Sequence, residues 1–260
     1  MKTVNPKKKF GQNFLNDNST AVQIVGFLST EKTNNIIEVG PGMGILTKEI
    51  LKIDNLNKKF IELDKECCDY LLNNFSKIKK DLINDDFLKF DIKKFNPPVS
   101  IIGNFPYNIS SQILFKIFEN KEIIYEMIGM FQYEVAERIC SNKGTKKYGI
   151  LSVLIQAFFS VELLIKIKPE SFNPPPKVNS AVIRIRKFRD KIDCDEILFK
   201  QIIKSAFNQR RKTLRNSLKS FKKIENIKEH SIFDKRAEEL DVDDYIFLTN
   251  LLSNGNIWAI

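Results

Sequence analysis

Read only for its apolar and polar positions, the chain carries two kinds of pattern. Up to about residue 189, short apolar runs alternate with amphipathic stretches. Asn16 or Asp17 can cap a helix through about Leu28, with Val22, Val25 and Leu28 as its apolar positions. Asn35–Val39 reads as a short buried strand that runs into Gly40-Pro41-Gly42-Met43-Gly44 and the start of a helix. Phe60–Asp64 and Leu82–Phe87 read as the second and third strands, and Ile101–Asn104 as the end of the fourth. Ser110 or Ser111 caps a helix through Phe118, Glu126–Gln132 reads as a fifth strand, and Tyr133–Ile139 as a helix. Ile150–Ser160 is apolar enough for a buried helix, and Val161–Ile167 and Val178–Ile185 read as two further strands. Strands alternating with helices predict an α/β fold. Beyond Arg189-Asp190 the strand pattern stops. Phe199, Ile202, Ile203, Ala206 and Phe207 recur at helical spacing, as do Leu214, Leu218 and Phe221. The expected organisation is an α/β domain over residues 1–189 and a helical domain over 190–260.

The chemistry gathers where strands end. Pro106 removes a backbone donor and fixes φ, so the fourth strand stops at Asn104-Phe105-Pro106-Tyr107. That leaves an amide (Asn104), a carbonyl beside a proline (Pro106) and an aromatic ring (Tyr107) at the carboxyl edge of the sheet, where open α/β folds bind ligands. Two oxygen acceptors and a stacking ring are what is needed to hold an adenine by its exocyclic amine. Taken alone, Asn-x-Pro-Tyr is also an ordinary turn; its neighbours change the weighing. Gly40 and Gly42 let the backbone approach a ligand closely. Glu62 lies about twenty residues beyond that turn, where an acid can bind both hydroxyls of a ribose. The glycine pattern departs from the Gly-x-Gly-x-x-Gly of nicotinamide dinucleotide sites. Glu62, Asp86 and Asn104 at successive strand ends favour S-adenosylmethionine instead.

Charge adds a partner. The formal net charge is +10, which suits a polyanion, and it is unevenly spread. Lys7, Lys8 and Lys9 cluster beside Phe10. From Ile197 to Lys223 there are nine Lys or Arg and no Asp or Glu. Arg211, Arg215, Lys219 and Lys222 fall on one helical face, and a face of one sign reads as a nucleic-acid contact. Lys143–Gly149 is either a basic loop beside the expected pocket or a plain surface loop, and the run Pro174-Pro175-Pro176 reads as a rigid connector. His230 is the only histidine, so no histidine triad and no metal site is expected. Cys67, Cys68, Cys140 and Cys194 have no metal-type spacing and fit a reducing cytoplasm. No signal peptide or membrane span is expected, and nothing suggests more than a monomer.

Taken together, these motifs resemble the small-subunit (16S) ribosomal RNA adenine N6,N6-dimethyltransferases of the bacterial KsgA type. The likeness runs through Phe10–Leu15, Glu38–Gly44, Glu62–Asp64, Asn104–Ser110, Pro175–Val182 and Arg210–Asn216. Phe105 departs from it, standing where Leu or Ile is usual, as does Gln112, where Pro or Thr is frequent. The resemblance implies a Rossmann-like class I methyltransferase sheet, mostly parallel with an antiparallel seventh strand, and a small all-helical C-terminal domain. It implies S-adenosylmethionine contacts at Asn13, Leu15, Gly40, Gly42, Glu62, Asp86 and Asn104, with Glu62 on the ribose and Asp86 on the cofactor's adenine. It implies catalysis at Asn104, Pro106 and Tyr107. RNA contacts are expected at Lys7, Lys8, Lys9, Arg210, Arg211, Lys212, Arg215, Lys219 and Lys222. The implied substrate is a pair of adjacent adenosines in the 3′-terminal hairpin loop of small-subunit rRNA, met on an immature small subunit.

Overall fold

A computed structural model describes residues 4–221 and 229–254; Lys222 lies outside them. The chain forms two compact units. One runs up to Ala136 and includes Ser160–Lys187; the other comprises Glu137–Phe159 and the chain from Phe188 onward.

In the first unit, β1 (Phe14–Leu15) and α1 (Asn18–Gly26) precede the first alternating pair, β2 (Asn35–Val39) and α2 (Ile45–Ile50). Then come β3 (Asn57–Glu62), α3 (Lys65–Asn74), β4 (Leu82–Asn84), β5 (Val99–Asn104), α4 (Ser110–Glu119) and β6 (Ile124–Gln132). Helix α5 (Tyr133–Cys140) leads out of this unit, and β7 (Phe159–Ile167), β8 (Phe172–Asn173) and β9 (Ser180–Lys187) return to it. Seven strands form one sheet in the order β4-β3-β2-β5-β6-β9-β7, and β1 pairs with β8 apart from it. Neighbours from β4 through β6 are parallel, whereas β9 runs antiparallel to β6. Parallel strands covered on both faces are mostly apolar; Ile36-Ile37 of β2 and Ile101-Ile102 of β5 are buried, with Glu38 and Ser100 as the buried polar exceptions. One face packs Ile36, Ile102, Ile128 and Val182 against Ala21, Ile24, Leu46 and Ile50.

Two expectations shift here. In α1, Asp17 is the cap: Oδ1 accepts from Ser19 N at 2.9 Å and Thr20 N at 3.2 Å. Hydrogen bonds led by the Thr20 hydroxyl hold its carboxyl down at about 2. The buried stripe is Ala21, Ile24 and Val25, while Val22 is exposed. Strand β4 stops at Asn84, so Asp86 lies in the turn beyond it rather than within the strand.

The second unit is built from α6 (Ile150–Gln156), α7 (Glu196–Asn208), α8 (Leu214–Ser217) and α9 (Val242–Asn254) with the turns between them. The segment Glu137–Phe159 belongs here, which differs from a single cut after residue 189. Side chains explain why. Buried Tyr148 meets Phe207 edge-on at 6.2 Å, and Phe207 stacks on Tyr245 at 6.3 Å. The Arg210 guanidinium donates to the carbonyls of Thr145 (2.9 Å) and Lys146 (2.7 Å). Apolar periodicity cannot show on which side of a domain boundary such an excursion packs. Nor does one helix carry Arg211, Arg215 and Lys219. Helix α7 ends at Asn208, a turn follows, and α8 is only four residues long. Arg211, Arg215 and Lys219 therefore do not share a helical face.

Candidate active site

The sheet order reverses between β2 and β5, the place where a crevice opens at the strand ends of doubly wound folds. In register, Glu38 of β2 faces Phe60 of β3 on one side and Ile102 of β5 on the other. The residues just beyond (Gly40, Glu62 and Asn104) therefore share one edge. A cavity of about 220 Å³ lies there.

Gly40, Pro41, Gly42 and Met43 of the glycine turn line it. Gly42 has φ +58°, and a Cβ there would lie 2.9 Å from the Phe14 ring, so only glycine fits. The Gly42 N–H donates to Glu62 Oε2 at 2.9 Å, and the Asp64 N–H donates to Oε1 at 2.8 Å. Both carboxylate oxygens are thus aimed by backbone donors. Burial raises the Glu62 pKa, and those two N–H groups oppose the rise. Glu38 is buried deeper. Desolvation pushes it up to about 8, opposed by the Thr47 hydroxyl, which donates to Oε2 at 2.7 Å. Asp86 lines the cavity with Oδ1 accepting from Leu88 N at 3.0 Å.

Asn104, Phe105, Pro106 and Tyr107 line the cavity as well. Asn104 Nδ2 donates to the Asn13 carbonyl at 2.9 Å. That bond sets which way the amide faces and leaves Oδ1 as an unengaged acceptor among the described residues. The Pro106 carbonyl already accepts the Ile109 N–H at 3.2 Å in a short 3₁₀ turn, whereas the Phe105 carbonyl accepts no N–H among the described residues. The Phe105 ring is buried and tilted against Phe131 with centroids 5.1 Å apart. Space for it comes from the paired glycines Gly103 and Gly129: a Cβ on either would come within 2.9 Å of that ring. The aromatic departure is therefore accommodated within the protein. The Tyr107 phenol is hydrogen-bonded to the hydroxyl of buried Ser180, and burial raises its pKa.

The N-terminal segment closes the site. Lys7 Nζ pairs with Asp64 at 2.7 Å, and Gln12 Nε2 donates to the other oxygen of that carboxylate at 3.0 Å. Burial would raise the Asp64 pKa; the bonds from Lys7 and Gln12 outweigh it and hold it low. Asp64 is bonded in turn to Glu62. A continuous set of contacts thus joins Lys7 to the glycine turn. Leu15 is buried in β1, paired with Phe172.

Glu62, Asp85 and Asp86, together with Glu38, which burial keeps protonated up to about 8, line the cavity against one basic side chain, Lys9. In a chain of net charge +10, this local inversion disfavours a pyrophosphate. It suits a cationic ligand with hydroxyls to bind.

The ribosomal RNA adenine dimethylase family profile matches residues 3–253. The chain belongs to that family. It is 49% identical over 260 residues to the small-subunit ribosomal RNA methyltransferase A of Flavobacterium johnsoniae, covering 99% of each chain. It is 49% identical to the protein of the same name in Bacteroides thetaiotaomicron, covering 96% of this chain and 95% of that one. The crystal structure of a dimethyladenosine transferase from Plasmodium falciparum superposes with a TM-score of 0.81 at 21% identity, over 93% of this chain and 98% of that one. The 23S rRNA methyltransferase ErmE gives 0.69 at 23%, over 93% and 100%. At such identities these two structures establish a shared class I methyltransferase fold.

Against the family's expected site, the structure brings Asn13, Leu15, Gly40, Gly42, Glu62, Asp86, Asn104, Pro106 and Tyr107 around one cavity. The expected RNA contacts fare unevenly. Lys7 is committed to Asp64, and Arg210 pairs with Glu238 at 3.2 Å besides its two carbonyls. Arg215 pairs with Asp234 at 2.6 Å. Lys8, Lys9, Arg211, Lys212 and Lys219 have no carboxylate partner among the described residues. The Lys143–Gly149 loop contributes nothing to the cavity lining; Lys143 pairs with Asp241 and Asp244. Reading the sequence assigned no role to Ser180, Asp64 or Glu38. The one signal for Glu38 was its place in Asn35–Val39, a run that reads as a short buried strand.

Proposed function

We propose that this chain dimethylates the exocyclic N6 of two adjacent adenosines in the 3′-terminal hairpin loop of small-subunit rRNA, on an immature small subunit in the cytoplasm. Family membership makes it an rRNA adenine dimethyltransferase, and its 49%-identical relatives are small-subunit enzymes. The observation that carries the chemistry at N6 is the Asn104 amide. It is turned by Asn13 so that Oδ1 is left to accept, beside an open backbone carbonyl and the Tyr107 ring.

The cofactor is S-adenosylmethionine, which supplies an electrophilic methyl group on a cationic sulfonium when bound. The residues present fit it: carboxylates for a cation and for ribose hydroxyls, and Leu63 and Phe87 as apolar walls. Glu62, with both oxygens oriented by backbone donors, would hold the ribose. Asp86 would accept from the cofactor's adenine amine.

An adenine amine is a weak nucleophile because its lone pair is delocalised into the ring. Asn104 Oδ1 and a backbone carbonyl accept its two hydrogens, Phe105's carbonyl being the less engaged of the two candidates. This favours a pyramidal nitrogen with its lone pair directed at the methyl group. Catalysis then rests on position and fixed dipoles. Tyr107 stacks on the base once it has left the helix stack. No general base is needed before attack, because the alkylated nitrogen is acidic enough to lose its proton to water. Phosphates would meet Lys8, Lys9, Arg211, Lys212 and Lys219.

The test is transfer of labelled methyl groups to unmethylated small subunits, with large subunits and naked rRNA in parallel. Four methyls on two adjacent adenosines of the small subunit are expected. Label confined to the large subunit, or none with cofactor and subunit binding intact, would sink the reading.

A further inference from the structure

Ser180 opens β9, and its register partner is Gln132, the last residue of β6. Asn104 pairs with Met130 on the other side of β6, so Ser180 reaches the same sheet edge as the site. It is fully buried, and its hydroxyl is bonded to the Tyr107 phenol. The backbone just before it is pinned as well: Asn179 accepts the Tyr133 N–H at 2.9 Å. Tyr107 itself sits in a single 3₁₀ turn, Tyr107–Ile109, whose main chain is tied by Ser110 Oγ donating to the Tyr107 carbonyl at 2.9 Å. The ring is therefore held at both ends. Ser110 fixes where it starts, and Ser180, on a sheet strand, fixes where its hydroxyl lies. A 3₁₀ turn alone would leave the ring free to rotate about its side-chain torsions.

We propose that Ser180 is a positioning residue for methyl transfer: through the phenol it locks the plane of Tyr107 on which the target adenine stacks. This rests on the stacking role given to Tyr107 above. RNA affinity comes mainly from phosphates, and only a base already flipped out meets the ring. Loss of the lock therefore acts on kcat and spares KM for the subunit.

The experiment measures kcat and KM on unmethylated small subunits, with cofactor affinity by calorimetry, for wild type, Ser180→Ala, Tyr107→Phe, the double variant and Tyr107→Ala. Ser180→Ala and Tyr107→Phe should each lower kcat by roughly three- to tenfold, the range of one hydrogen bond. KM and cofactor affinity should stay at wild-type values. The double variant should be no worse than either single one, because both break the same bond. Wild-type kcat in Ser180→Ala, or multiplied losses in the double, overturns the proposal. If Ser180→Ala does not fold, Tyr107→Phe decides: wild-type kcat there overturns it equally. Tyr107→Ala separates the two claims. Full activity in that variant removes the stacking role itself. Its inactivity beside a normal Ser180→Ala removes only the role of Ser180.

Discussion

The two units of this protein use charge in opposite ways. In the first, the carboxyl groups of Glu38 and Glu62 are buried at strand ends, each with named donors. In the second, cations sit on turns and a short helix, and two of the expected ones are already tied to carboxylates. A methyl transfer needs a few groups at fixed distances. A grip on a polyanion needs only enough uncommitted positive charge. Substitutions in the first unit should therefore act through geometry, and substitutions on the cationic surface through number. Asn104→Ala breaks the geometry most directly. It should lower kcat by about 10²- to 10³-fold, the scale of one removed dipole in a preorganised site. Stability should fall by only about 1 kcal/mol for the lost bond to Asn13. Thermal melting beside methyl-transfer kinetics checks both, and wild-type turnover in a folded variant would refute the assignment.

Legibility in the sequence follows the same division. In the first unit the signals are local: an apolar run followed within one or two residues by Gly40, Glu62 or Asn104 is enough to place each of them. What escaped was long-range. Ser180 is 73 residues from Tyr107 and Asp64 is 57 from Lys7, so no local pattern pairs them. In the second unit, periodicity misled. Leu214 and Leu218 are both buried, which satisfies helical spacing, yet α8 spans only Leu214–Ser217 and leaves Arg211 and Lys219 in turns on either side. The cationic face expected along one helix therefore dissolves.

Burial gives the next largest expected effect. Glu38 keeps its proton up to about 8 in the folded protein, against about 4.5 when unfolded. Between those values the unfolded chain has released a proton that the folded chain retains. This group's contribution to stability therefore falls as pH rises from about 4.5 to 8, then levels off. The size is on the order of a few kcal/mol. Glu38→Gln keeps an acceptor for Thr47 and removes the titration. Denaturant unfolding from pH 5 to 8 should show the variant gaining on wild type as pH rises. A constant difference would count against a protonated Glu38.

Close packing comes next. A Cβ at Gly103 would lie 2.6 Å from the Val39 carbonyl and 2.9 Å from the Phe105 ring. Gly103→Ala must displace either the β2 end that leads into the glycine turn or the aromatic residue that follows Asn104. Overpacking of this kind costs about 1–3 kcal/mol, and turnover should drop with it. Unfolding midpoints and kcat measured on the same preparations test the link; a destabilised but fully active variant would show that the two walls of the cavity move independently.

The smallest single-residue effects are expected on the cationic surface. Replacing Arg211, Lys212 and Lys219 together with alanine leaves up to three phosphates without a cation while breaking no ion pair among the described residues. The slope of log affinity for rRNA against log salt should fall by about 0.7–0.9 for each phosphate no longer neutralised. Unfolding should be unchanged within about 0.5 kcal/mol. Arg210→Ala is the counterpart. It removes two bonds to the carbonyls of Thr145 and Lys146 and an ion pair with Glu238. Stability should fall by about 1–3 kcal/mol, with the salt slope held at the wild-type value. If Arg210→Ala flattened the slope while the triple variant kept it, positive charge in the second unit would be read by position after all, as in the first.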